Sequence, residues 1–363
     1  MKEKGKALIA MSGGVDSSVA AYLTLQSGKP CLGVTMLLYD NADAGLSRGR
    51  TCCSLADIND AYAAALRLGI PFHVHNLQRE FRELVMNPFA EGYLRGKTPN
   101  PCVECNRYIK FGALHEHAYE LGCDIVVTGH YARIENRNGQ WLLRKALDEK
   151  KDQSYVLYHL TQETLAHMSF PLGEMRKEET RWIAEKLGFA NARKRDSQDI
   201  CFAPDGDYAA AVERLSGIHC PPGNYVDRKG NILGRHRGII HYTIGQRRGL
   251  GLSGEDRRYV LSVHPEDGTV VLGENQALYR KELTATDFHW IAGESPRTGI
   301  PVLAKIRYRH QESPAIAEPL QDGSVRVIFD EAQRAITPGQ SVVLYDGDIV
   351  LGGGTIASAD GLM

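Results

Sequence analysis

Short apolar runs alternate with helical patterns along the first 200 residues. Strands are predicted at 7–11, 30–39, 72–75 and 124–128, and helices from 19 onward and at 54–68, 79–95 and 106–121. This alternation predicts an α/β domain with a mostly parallel, doubly wound sheet. Ligands bind such sheets at the carboxyl ends of the strands, where Gly13, Gly14, Gly129 and His130 fall.

The pattern changes after about residue 205. Before that point, the segment from Asn136 to Gly139 predicts a hairpin turn, and helical patterns run from 162 to 187. A break at 221–224 precedes a Gly/Arg-rich segment, and strands with Asp-Gly turns at 322–323 and 346–347 follow from about 283. These strands predict a small barrel or sandwich at the C-terminal end.

Composition favours a globular protein with a local basic segment. The chain has 363 residues, 43% hydrophobic and 24% charged, with a net charge of −1. Residues 227–258 nevertheless hold eight Arg/Lys against three Asp/Glu, which fits either an RNA contact or a solvated loop. With eight cysteines and no predicted signal or membrane segment, we expect a cytoplasmic protein without membrane partners.

The segment Ser-Gly-Gly-Val-Asp-Ser-Ser at 12–18 lies between the first strand and a helical pattern. Glycines before a helix start expose backbone N–H groups that bind phosphate. Asp16 is predicted to help hold Mg²⁺ on that phosphate. The Gly-x4-Gly-Lys-Ser/Thr pattern is absent. The segment resembles the SGGxDS loop of ATP pyrophosphatases, which form AMP and pyrophosphate.

Cys102 and Cys105 form a C-x2-C just before the helix predicted from 106, and Cys201 is a third candidate. A helix start favours thiolate at Cys105. A four-ligand zinc site expects a second Cys or His pair, and the remaining cysteines offer no second C-x2-C. Cys31 and Cys123 are predicted to be core thiols, and we assign no role to Cys52 and Cys53.

Several segments together resemble tRNA-specific 2-thiouridylases, in order and spacing along nearly the whole chain: SGGVDS, TPNPCVECNRYIKFG, TGHYAR, KDQSYVLY, DSQDICF, HYTIGQRRGLG and PGQ. The resemblance implies ATP-dependent replacement of the C2 oxygen of the wobble uridine by sulfur. It implies an ATP pyrophosphatase domain (1–205), a small central α+β domain (206–280) that contacts tRNA and a C-terminal all-β barrel (281–363). It also implies a protein that donates persulfide sulfur, either a cysteine desulfurase or a relay protein.

Site residues are carried over from the resemblance position by position. Cys105 resembles the nucleophile, Cys201 the persulfide carrier and His130 a histidine needed for activity. The positions that resemble ATP contacts are Ala10, Met11, Ser12, Gly13, Gly14, Val15, Asp16, Ser17, Met36 and Gly129. Those that resemble contacts to the target base are Asn100, Pro101 and Cys102, and those that resemble tRNA contacts are Lys151, Asp152, Gln153, Arg307, Tyr308 and Gln340.

One position departs from the commonest form of the family, because Cys102 stands where that form has Asp. With Cys105 and Cys201 it offers three thiolates to an iron–sulfur cluster, the alternative to a persulfide relay. Two other functions are also compatible with part of the sequence. A small-molecule adenylating enzyme would share SGGxDS without needing these cysteines, and a non-catalytic RNA-binding protein would not need an intact loop.

Overall fold

The computed structural model describes residues 5–40, 42–45, 55–194, 196, 199–252 and 257–359. Ser54, Cys52 and Cys53 lie outside the described residues. The elements of the first 190 residues are β1 (Ala7–Ala10), α1 (Val15–Gln26), β2 (Cys31–Leu37), α2 (Leu55–Leu68), β3 (Phe72–Asn76), α3 (Gln78–Phe81), α4 (Asn87–Leu94), α5 (Pro101–Glu104), α6 (Leu114–Glu120), β4 (Ile125–Val127), β5 (Arg133–Arg137), β6 (Gln140–Arg144), α7 (Gln162–Ala166), β7 (Met168–Ser169) and α8 (Lys177–Lys186).

Five of these strands form a parallel sheet in the order β3-β2-β1-β4-β7. Every residue of β1 is buried, as expected for a central strand that is covered on both faces. The predicted doubly wound sheet is therefore confirmed. The short strand β7 was not predicted, and it divides the helical pattern at 162–187 into α7 and α8.

The helix predicted from residue 106 begins earlier, so the prediction was wrong at this end. The Asn100 side chain accepts a hydrogen bond from the Cys102 backbone N–H and caps α5, and Pro101 occupies its first turn. A π-helical segment, Cys105–Ala113, continues α5 into α6. The C-x2-C motif consequently lies inside the first turns of the helix rather than before it.

The remaining elements are α9 (Tyr208–Ser216), β8 (Gly223–Val226), β9 (Ile232–His236), β10 (Tyr259–His264), β11 (Thr269–Gly273), β12 (Tyr279–Trp290), β13 (Ile300–Lys305), β14 (Ser313–Pro319), β15 (Val325–Arg334), β16 (Ser341–Asp346) and β17 (Ile349–Ser358). Strands β8 to β11 form a four-stranded central sheet. Strands β12 to β17 follow the order β12-β15-β14-β13-β16-β17, and β17 pairs back with β12. The predicted C-terminal barrel is confirmed and closed.

The predicted hairpin at 136–139 forms a two-residue turn, with Asn138 at φ 53° and Gly139 at φ 88°. Strand β6 pairs with β17, and β5 pairs with β6, so the hairpin extends the barrel sheet rather than the parallel sheet. Buried residues of both regions, including Leu8, Tyr155 and Tyr345, belong to one hydrophobic cluster. No helix within the described ranges is long and apolar enough to cross a membrane.

Candidate nucleotide and cysteine site

The segment from Ser12 to Ser17 leads from β1 into the first turn of α1 at the carboxyl edge of the parallel sheet. Gly14 is the N-cap of α1 and has extended backbone geometry, with φ −86° and ψ 159°. The Ser17 hydroxyl accepts from the Ser12 N–H at 3.1 Å and donates to the Gly14 carbonyl at 3.0 Å, which holds the loop closed. The first turn of α1 therefore offers backbone N–H groups and a positive dipole end to an anion.

Glycine is required at position 13 by both conformation and space. Gly13 has φ +74°, and a Cβ there would lie 2.3 Å from the carbonyl oxygen of Asp57. The Gly13 carbonyl accepts from the Asn191 amide at 3.0 Å. The Lys194 ammonium lies 2.7 Å from Asp60 and also bonds Asp57. These residues connect the loop to α2 and to the segment after α8.

Asp16 is already paired within the protein. The Lys177 ammonium lies 2.8 Å from both Asp16 carboxylate oxygens, and the Tyr131 hydroxyl donates to Asp16 Oδ1 at 3.0 Å. Burial and the Asp16 charge raise the pKa of Tyr131, so it stays a hydrogen-bond donor. Because the buried Lys177 ammonium holds the Asp16 carboxylate, Asp16 does not fit the predicted role as a direct ligand of Mg²⁺.

His130 follows β4 and is buried. Its Nδ1 lies 2.7 Å from Thr128 Oγ1, and its Nε2 lies 3.5 Å from the Lys110 ammonium. Burial and the Lys110 charge lower the pKa of His130 well below its usual value, so the ring is neutral. Because an ammonium can only donate, Nε2 is the acceptor and Nδ1 carries the proton. His130 thereby orients Lys110.

A cleft of about 1440 Å³ brings much of the predicted site together. The loop after β1, the end of β4, the 149–153 segment and the β13–β14 loop all contribute to its walls. Predicted residues on the wall are Ala10, Ser12, Gly14, Val15, Asp16, Ser17, Met36, Gly129, His130, Lys151, Asp152, Gln153 and Tyr308. Residues that sequence reasoning did not single out include Asp57, Lys110, Tyr131, Lys194, Lys305 and Arg309. Met11 is buried in the core beneath the loop.

Cys102 is exposed, and its electrostatic neighbours Lys110, Tyr208 and Tyr308 all line this cleft. Desolvation by the surrounding protein raises the pKa of the Cys102 thiol, and the positive charge of Lys110 opposes that rise. The dipole argument made for Cys105 applies instead to Cys102, because the helix begins at Pro101. Asn100 and Pro101, the other predicted base contacts, act here as the cap and first residue of that helix.

Cys105 and Cys201 are both partly buried and pack against the same cluster of buried side chains, which includes Phe81 and Phe202. The Tyr39 hydroxyl donates to the Cys201 carbonyl at 2.6 Å and fixes that part of the chain. Two cysteines that are 96 positions apart in sequence therefore contact the same hydrophobic cluster. Cys31 and Cys123 are buried, as predicted for core thiols.

The structure was compared with the two metal sites considered for the cysteines, a zinc site and an iron–sulfur cluster. Among the residues that the structure describes, no group of three or more His, Cys, Asp or Glu side chains is arranged to hold a metal ion. Cys102, Cys105 and Cys201 are described residues, and they do not form such a group. The arrangement does not fit the zinc site or the iron–sulfur cluster.

The predicted tRNA residues divide into two groups. Lys151 bonds Asp196 at 2.7 Å, and Gln153 accepts from the Tyr131 N–H at 3.0 Å, both on the cleft wall. Arg307 and Gln340 are not on this wall. Arg307 donates to Thr337 at 2.9 Å, and Gln340 donates to the Thr98 carbonyl at 2.7 Å, contacts that hold the barrel together and against the first domain.

The described parts of the basic segment, 227–252 and 257–258, lie largely on the surface of the central domain. Exposed cations there are Arg228, Lys229, Arg235, Arg237, Arg247, Arg248 and Arg257. The glycines beside Arg247 and Arg248 have positive φ, 87° at Gly245 and 78° at Gly249, and so shape an exposed loop. The exposure and charge of this surface fit the predicted contact with an RNA backbone.

Comparison with known proteins supports this architecture. Residues 5–205 match a family model described as a tRNA methyl transferase HUP domain. Residues 216–274 match a tRNA methyl transferase PRC-barrel domain, and residues 280–356 match an aminomethyltransferase beta-barrel domain.

Full-length relatives are similar in sequence. The tRNA-specific 2-thiouridylase MnmA of Clostridioides difficile (strain 630) is 49% identical over 353 residues, 97% of this chain and 98% of that protein. That of Acetivibrio thermocellus is 48% identical, covering 97% and 99%. A solved 4-thiouridine synthetase–RNA complex with bound ATP is 19% identical, with a TM-score of 0.35 over 59% of this chain and 52% of that chain. Because these relatives are 48% and 49% identical over nearly the whole chain, the chain belongs to the family of tRNA-specific 2-thiouridylases.

Proposed function

We propose that this protein is a tRNA-uridine 2-sulfurtransferase that uses ATP to replace the C2 oxygen of the wobble uridine by sulfur. The observation that carries the proposal is the cleft in which the SGGVDS loop, the Lys110–His130 pair and the Cys102 helix meet, in a chain of this family. The cleft unites a phosphate-binding loop with Lys110, which lies on the continuation of the helix that carries Cys102 and Cys105.

The first step activates the uridine. The ATP phosphates lie at the N-terminus of α1, and the C2 oxygen attacks the α-phosphorus. Pyrophosphate leaves, and the C2 oxygen becomes part of an adenylate. Lys110, oriented by neutral His130, faces the cleft and stabilises negative charge that develops on the phosphate. The products are AMP and pyrophosphate rather than ADP.

The second step transfers sulfur. The terminal sulfur of a Cys201 persulfide attacks C2, and the C2–O bond breaks with release of AMP. The Cys105 thiolate then attacks Sγ of Cys201, which releases 2-thiouridine and leaves a Cys105–Cys201 disulfide. A dithiol reductant must restore both thiols before the next persulfide is loaded. The common packing of the two cysteines supports this relay.

The partners follow from this chemistry. The tRNA backbone lies on the basic segment and the barrel, and its anticodon reaches the cleft. A persulfide-carrying protein, either a cysteine desulfurase or a relay protein, loads Cys201. Mg²⁺ accompanies the ATP phosphates without direct coordination by Asp16. We place the protein in the cytoplasm, where cysteines are kept reduced.

Mass spectrometry of nucleosides tests the proposal. Purified protein, unmodified tRNA, Mg-ATP and a persulfide donor should yield 2-thiouridine, with AMP and pyrophosphate formed alongside it. Cys105→Ser and Cys201→Ser should abolish 2-thiouridine but retain ATP binding, whereas Cys123→Ser, a core substitution, should retain both. If the protein formed no thiolated nucleoside and instead made AMP by adenylating a small molecule, it would be a small-molecule adenylating enzyme.

A further inference from the structure

Cys102 and Cys105 share a single turn of helix. The Cys105 backbone N–H donates to the carbonyl oxygens of both Pro101 and Cys102. The bond from Cys105 to Cys102 spans three residues, as in a 3-10 helix, where side chains three positions apart lie one above the other. The two cysteine side chains are therefore neighbours on one face of the helix. A Cys-x-x-Cys pair near the start of a helix is an arrangement that thiol–disulfide oxidoreductases use.

The three cysteines of the site differ in their access to solvent. Cys102 is exposed, whereas Cys105 and Cys201 are partly buried and pack against the cluster that contains Phe81 and Phe202. That cluster would shield a disulfide between Cys105 and Cys201, and a reductant must reach the sulfur that it attacks. Cys102 is thus the most accessible of the three cysteines to a reductant from solution.

Tyr208, the first residue of α9, connects the cleft with the buried cysteines. Its side chain packs against the same cluster as Cys105 and Cys201, and it also lines the cleft. Tyr208 is at the same time an electrostatic neighbour of Cys102. Cys102 therefore lies at the boundary between the cleft and the cluster, on the solvent side of Cys105.

We propose that Cys102 is the resolving thiol of the sulfur relay. This inference rests on the proposed function, in which sulfur transfer leaves a Cys105–Cys201 disulfide. The Cys102 thiolate attacks Sγ of Cys105, the bond between Cys105 and Cys201 breaks, and Cys201 leaves as a thiolate that takes up a proton. The dithiol reductant that the reaction already requires then supplies two electrons and reduces the new Cys102–Cys105 disulfide. Cys201 can be loaded with the next persulfide before that reduction takes place.

Disulfide mapping after one turnover tests the proposal. Iron-free protein with persulfide on Cys201 is mixed with unmodified tRNA and Mg-ATP without reductant, alkylated with N-ethylmaleimide and digested for peptide mass spectrometry. Wild-type protein should contain a Cys102–Cys105 disulfide and an alkylated Cys201. Cys102→Ser and Cys102→Asp, which keep a polar side chain but lack sulfur, should still form 2-thiouridine in that turnover. The disulfide that remains in them should join Cys105 to Cys201.

Turnover with a thioredoxin as reductant gives a second measurement. In Cys102→Ser and Cys102→Asp, the ratio of the steady-state rate to the first-turnover rate should be lower than in wild type by about tenfold or more, because the reductant must then reach the shielded pair. Cys123→Ser, at a buried cysteine, should match wild type in both measurements. Thermal unfolding of each variant shows that it is folded.

Two results would overturn the resolving role. One is wild-type protein whose only disulfide after one turnover joins Cys105 to Cys201, with Cys102 alkylated. The other is a wild-type ratio of the two rates in Cys102→Ser, since a residue that only contacts the base would lower both rates together. Wild-type protein that forms no 2-thiouridine in the first turnover would instead contradict the proposed function itself.

Discussion

Gly129 lies directly against the backbone of Asp16. A Cβ at Gly129 would be 2.8 Å from the Asp16 carbonyl carbon and from the Ser17 nitrogen. The end of β4 therefore supports the nucleotide loop from behind, and the two strand ends that carry the sequence motifs form one surface.

Gly129→Ala should displace the loop and lower ATP affinity by at least about tenfold, since backbone atoms cannot yield as a flexible side chain can. Isothermal calorimetry with ATP measures this. Gly122→Ala is the control, because a Cβ there meets nothing within 4 Å, and it should cost stability through its φ of +64° while ATP affinity is kept. Equal affinity in Gly129→Ala and wild type would refute the close packing.

His159 should make the protein sensitive to acid. Burial, with Arg107 nearby, lowers the pKa of His159 to about 3. In the unfolded chain the His159 imidazole has a pKa near 6.5, so below that pH it binds a proton that it does not bind in the folded protein. The contribution of this group to the free energy of unfolding is therefore complete above about pH 6.5 and is lost as the pH falls towards 3. Between pH 7 and pH 5, His159→Gln should lose about 2 kcal/mol less unfolding free energy than wild type.

Urea unfolding at both pH values checks this prediction. If His159→Gln lost as much stability as wild type on acidification, His159 would not be the group responsible.

The basic segment should provide phosphate contacts. Arg247→Gln with Arg248→Gln should weaken tRNA binding and reduce the slope of log affinity against log salt by about 0.9 for each lost phosphate contact. The matched control replaces Arg79 and Arg193, whose side chains are 79% and 90% exposed in the first domain. An unchanged slope in the Arg247/Arg248 variant would show a merely solvated surface.

Substitution of Cys102 distinguishes the persulfide relay from an iron–sulfur cluster. In the relay, Cys102→Ala should reduce thiolation only in part, because Cys105 and Cys201 remain. If the three cysteines held a cluster, the substitution would remove a ligand and end activity. Anaerobic purification, with iron and acid-labile sulfide assayed beside single-turnover thiolation, decides between them. Strictly iron-dependent activity would contradict the relay, and full activity of iron-free protein would exclude the cluster.

The strand ends and the nucleotide loop could be predicted because local sequence determines them. The helix start was missed although its signal was present, since Asn100 followed by Pro101 is a cap and first-turn pair. Lys177 could not be found this way, because its partner Asp16 is 161 residues distant. The pairing of β6 with β17 is equally non-local. Lys110 and Tyr131 stood inside recognised motifs but had no local sign of their contacts.

In the proposed reaction, ATP adenylates the C2 oxygen and sulfur then replaces it. A tRNA with oxygen-18 at C2 of the wobble uridine tests this directly, with AMP, pyrophosphate and nucleosides analysed by mass spectrometry. We expect one oxygen-18 in AMP for each 2-thiouridine formed and none in pyrophosphate. Label in inorganic phosphate with ADP as the nucleotide product, or thiolation with unlabelled AMP, would contradict it.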